Sequence, residues 1–206
     1  MKLYYSPAAC SLAVHIVARE ADLPIELIKV DLVTHRLDDG TDYYTINPRG
    51  YVPLLELDDG TRLTEVAAIV QYLADLAPAA GLIPPAGTIE RVQVQAWLTF
   101  VSSELHKTFS PWLWHKDTAA STRQNVLDRL ARHFGELDGL FARQPYLAGD
   151  AFTVADAYAF TILSWAGPLR VDLRPYPAVV DYLARIAARP HVREALEVEG
   201  LRRKAA

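Results

Sequence analysis

The stretch PAAGLIPPAGT at residues 78–88 constrains the architecture more than any other segment. It holds three prolines and two glycines in eleven residues. Proline interrupts hydrogen-bonded ladders and glycine loosens the backbone, so the run predicts an interdomain linker. The patterning differs on its two sides. Before it, Lys2 to Tyr5 reads as a strand and SLAVHIVARE as a helix, with Leu12, Ile16 and Val17 on one apolar face and Ala13 and Arg19 at its flanks. ELIKVD at 26–31 alternates like a half-buried strand. VPLLEL at 52–57 predicts another, and DDG at 58–60 a hairpin turn returning through RLT at 61–63. EVAAIVQYLADLA then has helical spacing, with Ile69, Tyr72, Leu73 and Leu76 facing inward. After the linker, strand signals nearly vanish and helical patterns run over 89–114, 121–143, 154–166, 177–188 and 191–197. The expected fold class is α/β plus all-α: a layered unit over residues 1–77, a linker over 78–88 and a helical domain over 89–206.

The chain has 206 residues, enough for one large or two small domains. A net charge of -4 excludes a global basic footprint for nucleic acid. No apolar run has the length of a membrane span, and the N-terminus does not read as a signal peptide. Cys10 is the only cysteine, which excludes an intrachain disulfide and a multi-cysteine zinc site. Ala13 stands where a C-x-x-C pair would need its second thiol. Redox chemistry at Cys10 therefore needs an external thiol and a reducing compartment. His15, His35, His115, His133 and His191 form no metal-ligand spacing, so no metal site is expected.

Pro7-Ala8-Ala9 is a turn that delivers Cys10 to the start of a helix. Free N–H groups and the positive end of the helix dipole favour a thiolate there. A buried, inert cysteine is the competing reading. Ser11 is placed to cap the helix or donate to sulfur. At Val52-Pro53, a trans bond ends a loop, whereas a cis bond would turn the Val52 backbone toward an extended ligand. Glu65 begins a helix, where it complements the dipole or holds a ligand ammonium. Ser102, Ser103, His106 and Lys107 form a polar cluster on a long helix, and His106 has a role only if Cys10 is near, which spacing does not show. FTVADAY at 152–158 predicts a capping box of Thr153 and Asp156, with Phe152 stapling onto Ala157. Trp97, Trp112, Trp114 and Trp165 read as core or cleft lining.

Together, MKLYYSPAACSLAVHI, DYYTINPRGYVPLLELDDGTRLTE, AAIVQYLADL, SSELHK and FTVADAY resemble a cytosolic-type glutathione transferase, most closely the bacterial beta class. The resemblance implies a thioredoxin-like N-terminal domain, a C-terminal helical-bundle domain, a homodimer and a cytoplasmic location. It implies glutathione as co-substrate, no permanently bound cofactor, and small apolar electrophiles as the other substrates. Cys10 would lie against the glutathione sulfur and form a mixed disulfide, with Ser11 and His106 also catalytic. Val52, followed by a cis Pro53, would pair with the cysteinyl backbone. Glu65 and the Val66 N–H would hold the γ-glutamyl end, and the stretch Ser103, Glu104, Leu105, His106 and Lys107 would complete the binding set. His35 stands where class members often carry Lys, so its contact to the glycyl carboxylate would weaken or depend on pH, with Arg36 beside it. Val66 replaces a common Gly and Thr99 a common Asn, and Tyr5 is not implied to activate the thiol. A non-catalytic binding or regulatory protein on the same fold, or a glutathione-dependent isomerase or dehalogenase, are the other readings.

Overall fold

The strand patterns before the linker close into one five-stranded sheet in a computed structural model, which describes residues 1–202. The central strand is β1 (Lys2–Tyr5). On one side lie β2 (Glu26–Asp31) and then β3 (Arg36–Leu37), and on the other β4 (Leu54–Glu56) and then β5 (Arg62–Thr64). The β1–β2 pair is parallel and the other pairs are antiparallel. The two-residue β3 has no sequence signal of its own. VPLLEL contributes fewer residues than expected, because the ladder begins only at Leu54. The DDG turn forms with Gly60 at φ 84°, and Leu57 N–H donates to the Thr61 carbonyl at 2.8 Å.

Register sorts the side chains into two faces. Leu3 stands opposite Leu27 and Leu55, and Tyr4 opposite Ile28 and Leu54. The Tyr4 face gathers Val30, Tyr43, Val52 and Leu54 into one buried cluster. Helices α1 (Ser11–Glu20) and α2 (Val66–Leu76) contribute nothing to that cluster and pack against each other. On α2 the inward residues are Val66, Ile69, Val70, Leu73 and Ala74. Ile69 and Leu73 face inward as expected, Tyr72 is half-buried, and Leu76 turns outward at 47 % exposure.

Helix α1 departs further from expectation. Every residue from Ser11 to Ala18 is buried, Ala13 included, so it has no solvent face along that length. The reason is that two helices pack on it, α2 and, from the far end of the chain, α8 (Pro190–Val198). The chain divides into two compact units, Met1–Leu82 with the segment from Pro190 onward, and Ile83–Arg189. The first boundary falls inside the stretch read as a linker. The second differs from the expected helical domain of 89–206, because α8 belongs with the sheet. A buried pair fixes it there: His15 Nδ1 meets Glu199 Oε1 at 3.0 Å, and Ala8 N–H donates to Glu199 Oε2 at 3.1 Å.

The second unit begins with α3 (Ile89–Phe100), capped by the Thr88 hydroxyl, which accepts from Arg91 N–H at 3.2 Å. The helix expected over 89–114 is three pieces: α3, a π-helical segment Val101–His106 and a short α4 (Lys107–Phe109). Helices α5 (Ala120–Phe141), α6 (Val154–Leu163) and α7 (Pro177–Ala187) follow. All of α6 is buried, which makes it the centre of this unit. Phe141 of α5 stacks on Tyr182 of α7 at 3.8 Å. The capping box of Thr153 and Asp156 is present. Asp156 also accepts from Leu147 N–H at 2.8 Å and the Tyr182 hydroxyl at 3.1 Å, so this buried carboxylate ties α6 to α7. Burial raises its pKa. The Phe152 ring packs against Tyr146 and under the Arg189 guanidinium.

Candidate active site

Strand direction assembles the first group of residues. Tyr4 pairs with Leu54, and Leu54 with Thr64. The C-terminal end of β1, the N-terminal end of β4 and the C-terminal end of β5 therefore share one end of the sheet. The segments leaving that end carry Cys10, Val52-Pro53 and Glu65-Val66. Both α1 and α2 also begin there, so two helix N-termini present their positive ends to the same region. Such an end suits a thiolate and a carboxylate.

Cys10 is the N-cap residue of α1 and is half-buried. Its Sγ donates to the Val52 carbonyl at 3.2 Å, a contact across 42 residues of sequence. The Val52-Pro53 bond is cis. Val52 precedes the β4 ladder, so its backbone is directed to the site rather than to a neighbouring strand. The turn before it is held from behind. The Tyr43 hydroxyl donates to the Tyr51 carbonyl at 2.9 Å, and Asn47 Nδ2 donates to the same oxygen at 2.7 Å. This accounts for the Asn at the head of NPRG.

Ser11 does not take either expected role. Its hydroxyl is buried, accepts from Ser6 N–H and donates to the Ser6 carbonyl, both at 3.3 Å. It closes the turn that carries Cys10 and neither caps α1 nor reaches the sulfur. Glu65 is the N-cap residue of α2 at φ 70°, a left-handed conformation that costs a non-glycine residue about 1–3 kcal/mol. Its carboxylate is exposed and lies 3.5 Å from Arg49. Val66 is buried at the first position of α2, where its N–H belongs to the open helix end. His35 also has positive φ, at 52°, and its ring lies 4.6 Å from that of Tyr44. Its Nδ1 is buried without a hydrogen-bond partner among the described residues. Gly50 lies against both rings, and a Cβ there would stand 2.6 Å from Tyr44 and 3.0 Å from His35 Nδ1.

The second group lies in the helical unit, and one short segment carries nearly all of it. Ser103, Glu104, Leu105 and His106 belong to the π-helical segment, and Lys107 opens α4. His106 Nδ1 pairs with the Tyr158 hydroxyl of α6 at 2.7 Å, and its ring meets Trp165 edge-on at 5.0 Å. Burial, aided by the charge of Lys107, lowers its pKa to about 4. The imidazole is therefore neutral near pH 7. Leu105 is buried in the core, while Ser103 and Lys107 are exposed. The Glu104 carboxylate is occupied by Arg129 of α5, whose hydrogen bond lowers its pKa. Tyr158 is the residue that sequence reading missed. FTVADAY shows its capping box in sequence, and the Tyr158 hydroxyl gains its partner only from the fold.

Two family models match the chain. The glutathione S-transferase N-terminal domain matches residues 8–76, and the glutathione S-transferase C-terminal domain matches residues 100–190.

The chain belongs to the glutathione S-transferase family.

Glutathione S-transferase GstA of Escherichia coli O157:H7 is 42% identical over 202 residues, covering 98% of this chain and 100% of that protein. Among solved structures, the bacterial transferase BphK, determined as a ternary complex, has a TM-score of 0.94 at 46% identity, covering 97% of this chain and 100% of its own. A sphingomonad glutathione S-transferase complexed with glutathione has a TM-score of 0.93 at 42% identity, covering 98% and 100%. The beta-class transferase of Sphingomonas chungbukensis matches equally well. The transferase fold expected from the sequence, a thioredoxin-like domain with a helical domain, is shared across these proteins.

Proposed function

We propose that this transferase conjugates glutathione to apolar electrophiles and also exchanges glutathione through a mixed disulfide at Cys10. The observation that carries the reading is the Cys10 sulfur set on the Val52 carbonyl, at the sheet end where two helix N-termini open. Glutathione is a γ-glutamyl tripeptide with a thiol, two carboxylates and one ammonium. The N-terminus of α2 and the Glu65 carboxylate fit its amino-acid end, the Val52 backbone fits its cysteinyl amide, and His35 and Arg36 are the candidates for its glycyl carboxylate. Pro53 and Val66 shape this binding stretch. Ser103, Glu104, Leu105, His106 and Lys107 are the proposed contribution of the helical unit.

In conjugation, the glutathione thiolate attacks the electrophilic carbon, the C–S bond forms and the leaving group departs with its electron pair. Helix N-termini stabilise the thiolate, and the neutral His106 serves as a hydrogen-bonding group during proton movement. In exchange, the Cys10 thiolate attacks the glutathione sulfur of a mixed disulfide. The S–S bond breaks and the departing thiolate takes a proton. A second glutathione thiolate then attacks the Cys10 adduct, releasing oxidised glutathione and restoring the Cys10 thiolate. A single cysteine suits this cycle, since no second thiol competes to resolve the adduct. A thiol that works this way needs a reducing compartment, which supports a cytoplasmic location. None of the described helices is long and apolar enough to cross a membrane. A homodimer is part of the same reading, from family resemblance.

The test is intact-mass spectrometry after incubation with oxidised glutathione. Wild type should gain one glutathione, removable by a reductant, and Cys10→Ala should gain none. Wild type that stays unmodified removes the exchange reading. Retention on immobilised glutathione without turnover of any electrophile or disulfide would favour a binding protein instead.

A further inference from the structure

A neutral histidine has two unlike nitrogens, one carrying a proton and one a lone pair. Which of them faces a ligand is set by the hydrogen bond made at the other. At His106 that bond goes to Tyr158. The hydroxyl oxygen lies 2.7 Å from Nδ1, and the two rings meet edge-on at 5.8 Å. The Trp165 ring also meets the imidazole edge-on, at 5.0 Å. Ring contacts alone do not tell one edge of an imidazole from the other. A half-turn about the Cβ–Cγ bond keeps the ring plane and puts Cδ2 where Nδ1 was. The hydrogen bond removes that freedom, because a carbon there gives the hydroxyl no partner. Tyr158 is itself held firmly. It is 2 % exposed, in a helix buried along its whole length. It lies two residues after Asp156, whose carboxylate accepts from Leu147 N–H and the Tyr182 hydroxyl. Packing accounts for an aromatic ring at this position but not for its hydroxyl, since phenylalanine would fill the same space.

We propose that Tyr158 is a positioning residue for His106: its hydroxyl donates to Nδ1, so the ring proton stays on Nε2 and the nitrogen offered to the glutathione sulfur is an N–H donor. The proposal deepens the functional reading of His106 given above and rests on it. The direction of the bond follows from its partners. A phenolic O–H is a good donor, and an imidazole lone pair accepts more strongly than a phenol oxygen. Burial keeps the ring neutral near pH 7, so one nitrogen is free of a proton and can accept. An Nε2–H donor stabilises a thiolate sulfur and takes no proton from it. The hydroxyl thus sets both the edge of the ring and its tautomer, and small displacements of a reacting group cost rate disproportionately.

The test is a double-mutant cycle with a spectroscopic arm. Tyr158→Phe, which keeps the ring and deletes the hydroxyl, is made in wild type and in His106→Ala. Turnover of 1-chloro-2,4-dinitrobenzene is measured at varied glutathione. Tyr158→Phe should lower kcat about 10-fold with KM for glutathione little changed, and should cost nothing further in the His106→Ala background. Equal losses in both backgrounds would make the hydroxyl merely structural and overturn the proposal. So would full activity in Tyr158→Phe beside an impaired His106→Ala. Full activity in His106→Ala would remove the functional reading of His106 and this proposal with it. Nitrogen-15 NMR of the ring, assigned by the signals that His106→Ala lacks, reads the tautomer without turnover. Wild type should carry the proton on Nε2, and Tyr158→Phe should show both tautomers. A proton on Nδ1 in wild type, or the same single tautomer in Tyr158→Phe, would overturn the proposal while leaving the functional reading standing.

Discussion

Removing the Glu199 carboxylate tests the tie between the two ends of the chain. Glu199 is 6 % exposed and accepts from Ala8 N–H at 3.1 Å and His15 Nδ1 at 3.0 Å. Arg19 Nε–H donates to His15 Nε2 at 3.4 Å, which places the ring proton on Nδ1, facing the carboxylate. In Glu199→Ala both donors lose this acceptor inside the fold. Each such loss costs about 1–3 kcal/mol, so the two together cost about 2–6 kcal/mol. In a chain of this size each kcal/mol moves the melting temperature by about 2–4 °C, so Tm should fall by roughly 4–24 °C. Glu199→Gln should fall about half as far. Its carbonyl can serve one donor, while its NH2 group must face the other. Thermal and urea unfolding of the three proteins measure this. A drop below about 2 °C for Glu199→Ala would refute the reasoning, as would a Gln variant no better than Ala.

Two further outcomes follow from the site. His106 has its pKa lowered to about 4 in the fold against 6.5 in the unfolded chain, so the unfolded state takes the proton first as pH falls. Stability from the neutral ring is complete above 6.5 and is lost between 6.5 and about 4, by about 3 kcal/mol at most. Urea unfolding across that window should show a flatter pH slope for His106→Gln than for wild type, and parallel slopes would contradict it. Gly50→Ala places a methyl group 2.6 Å from the Tyr44 ring on a backbone at φ 68°. It should lower stability by about 1–3 kcal/mol and raise KM for glutathione through displaced His35, as read by calorimetry and steady-state kinetics. An unchanged KM would separate His35 from glutathione binding.

Much of the first unit was legible because its signals are local. Alternation in ELIKVD, the DDG turn and the helical spacing after Glu65 each state their own element. The inward face of α2 was read too far along, to Leu76, because periodicity does not tell where a helix runs past its covering layer. The face of α1 was read too narrowly for the opposite reason. His15 is buried against Glu199, which arrives from the other end of the sequence, and α1 also packs on α2. In the site, residue types were legible and partners were not. Adjacency offers Ser11 to the helix cap or to the sulfur, and the fold pairs its hydroxyl with Ser6. Glu104 belongs to the expected binding stretch, and its pairing with Arg129 spans 25 residues of sequence. Tyr158 went unread because a hydrogen bond spanning 52 residues leaves no trace in spacing.

Local sequence is enough to specify a mixed α/β half and a helical half, broken by the proline-rich run at 78–88, with one cysteine at a strand-to-helix turn. These follow from backbone propensity and hydrophobic period, which act over a few residues. Long-range packing sets Val52 under the Cys10 sulfur, widens the helix through His106 into a π turn and closes Glu199 on His15. Each of these depends on which distant segments share a buried boundary. There the need to satisfy every buried polar group selects one arrangement among the many that local rules permit.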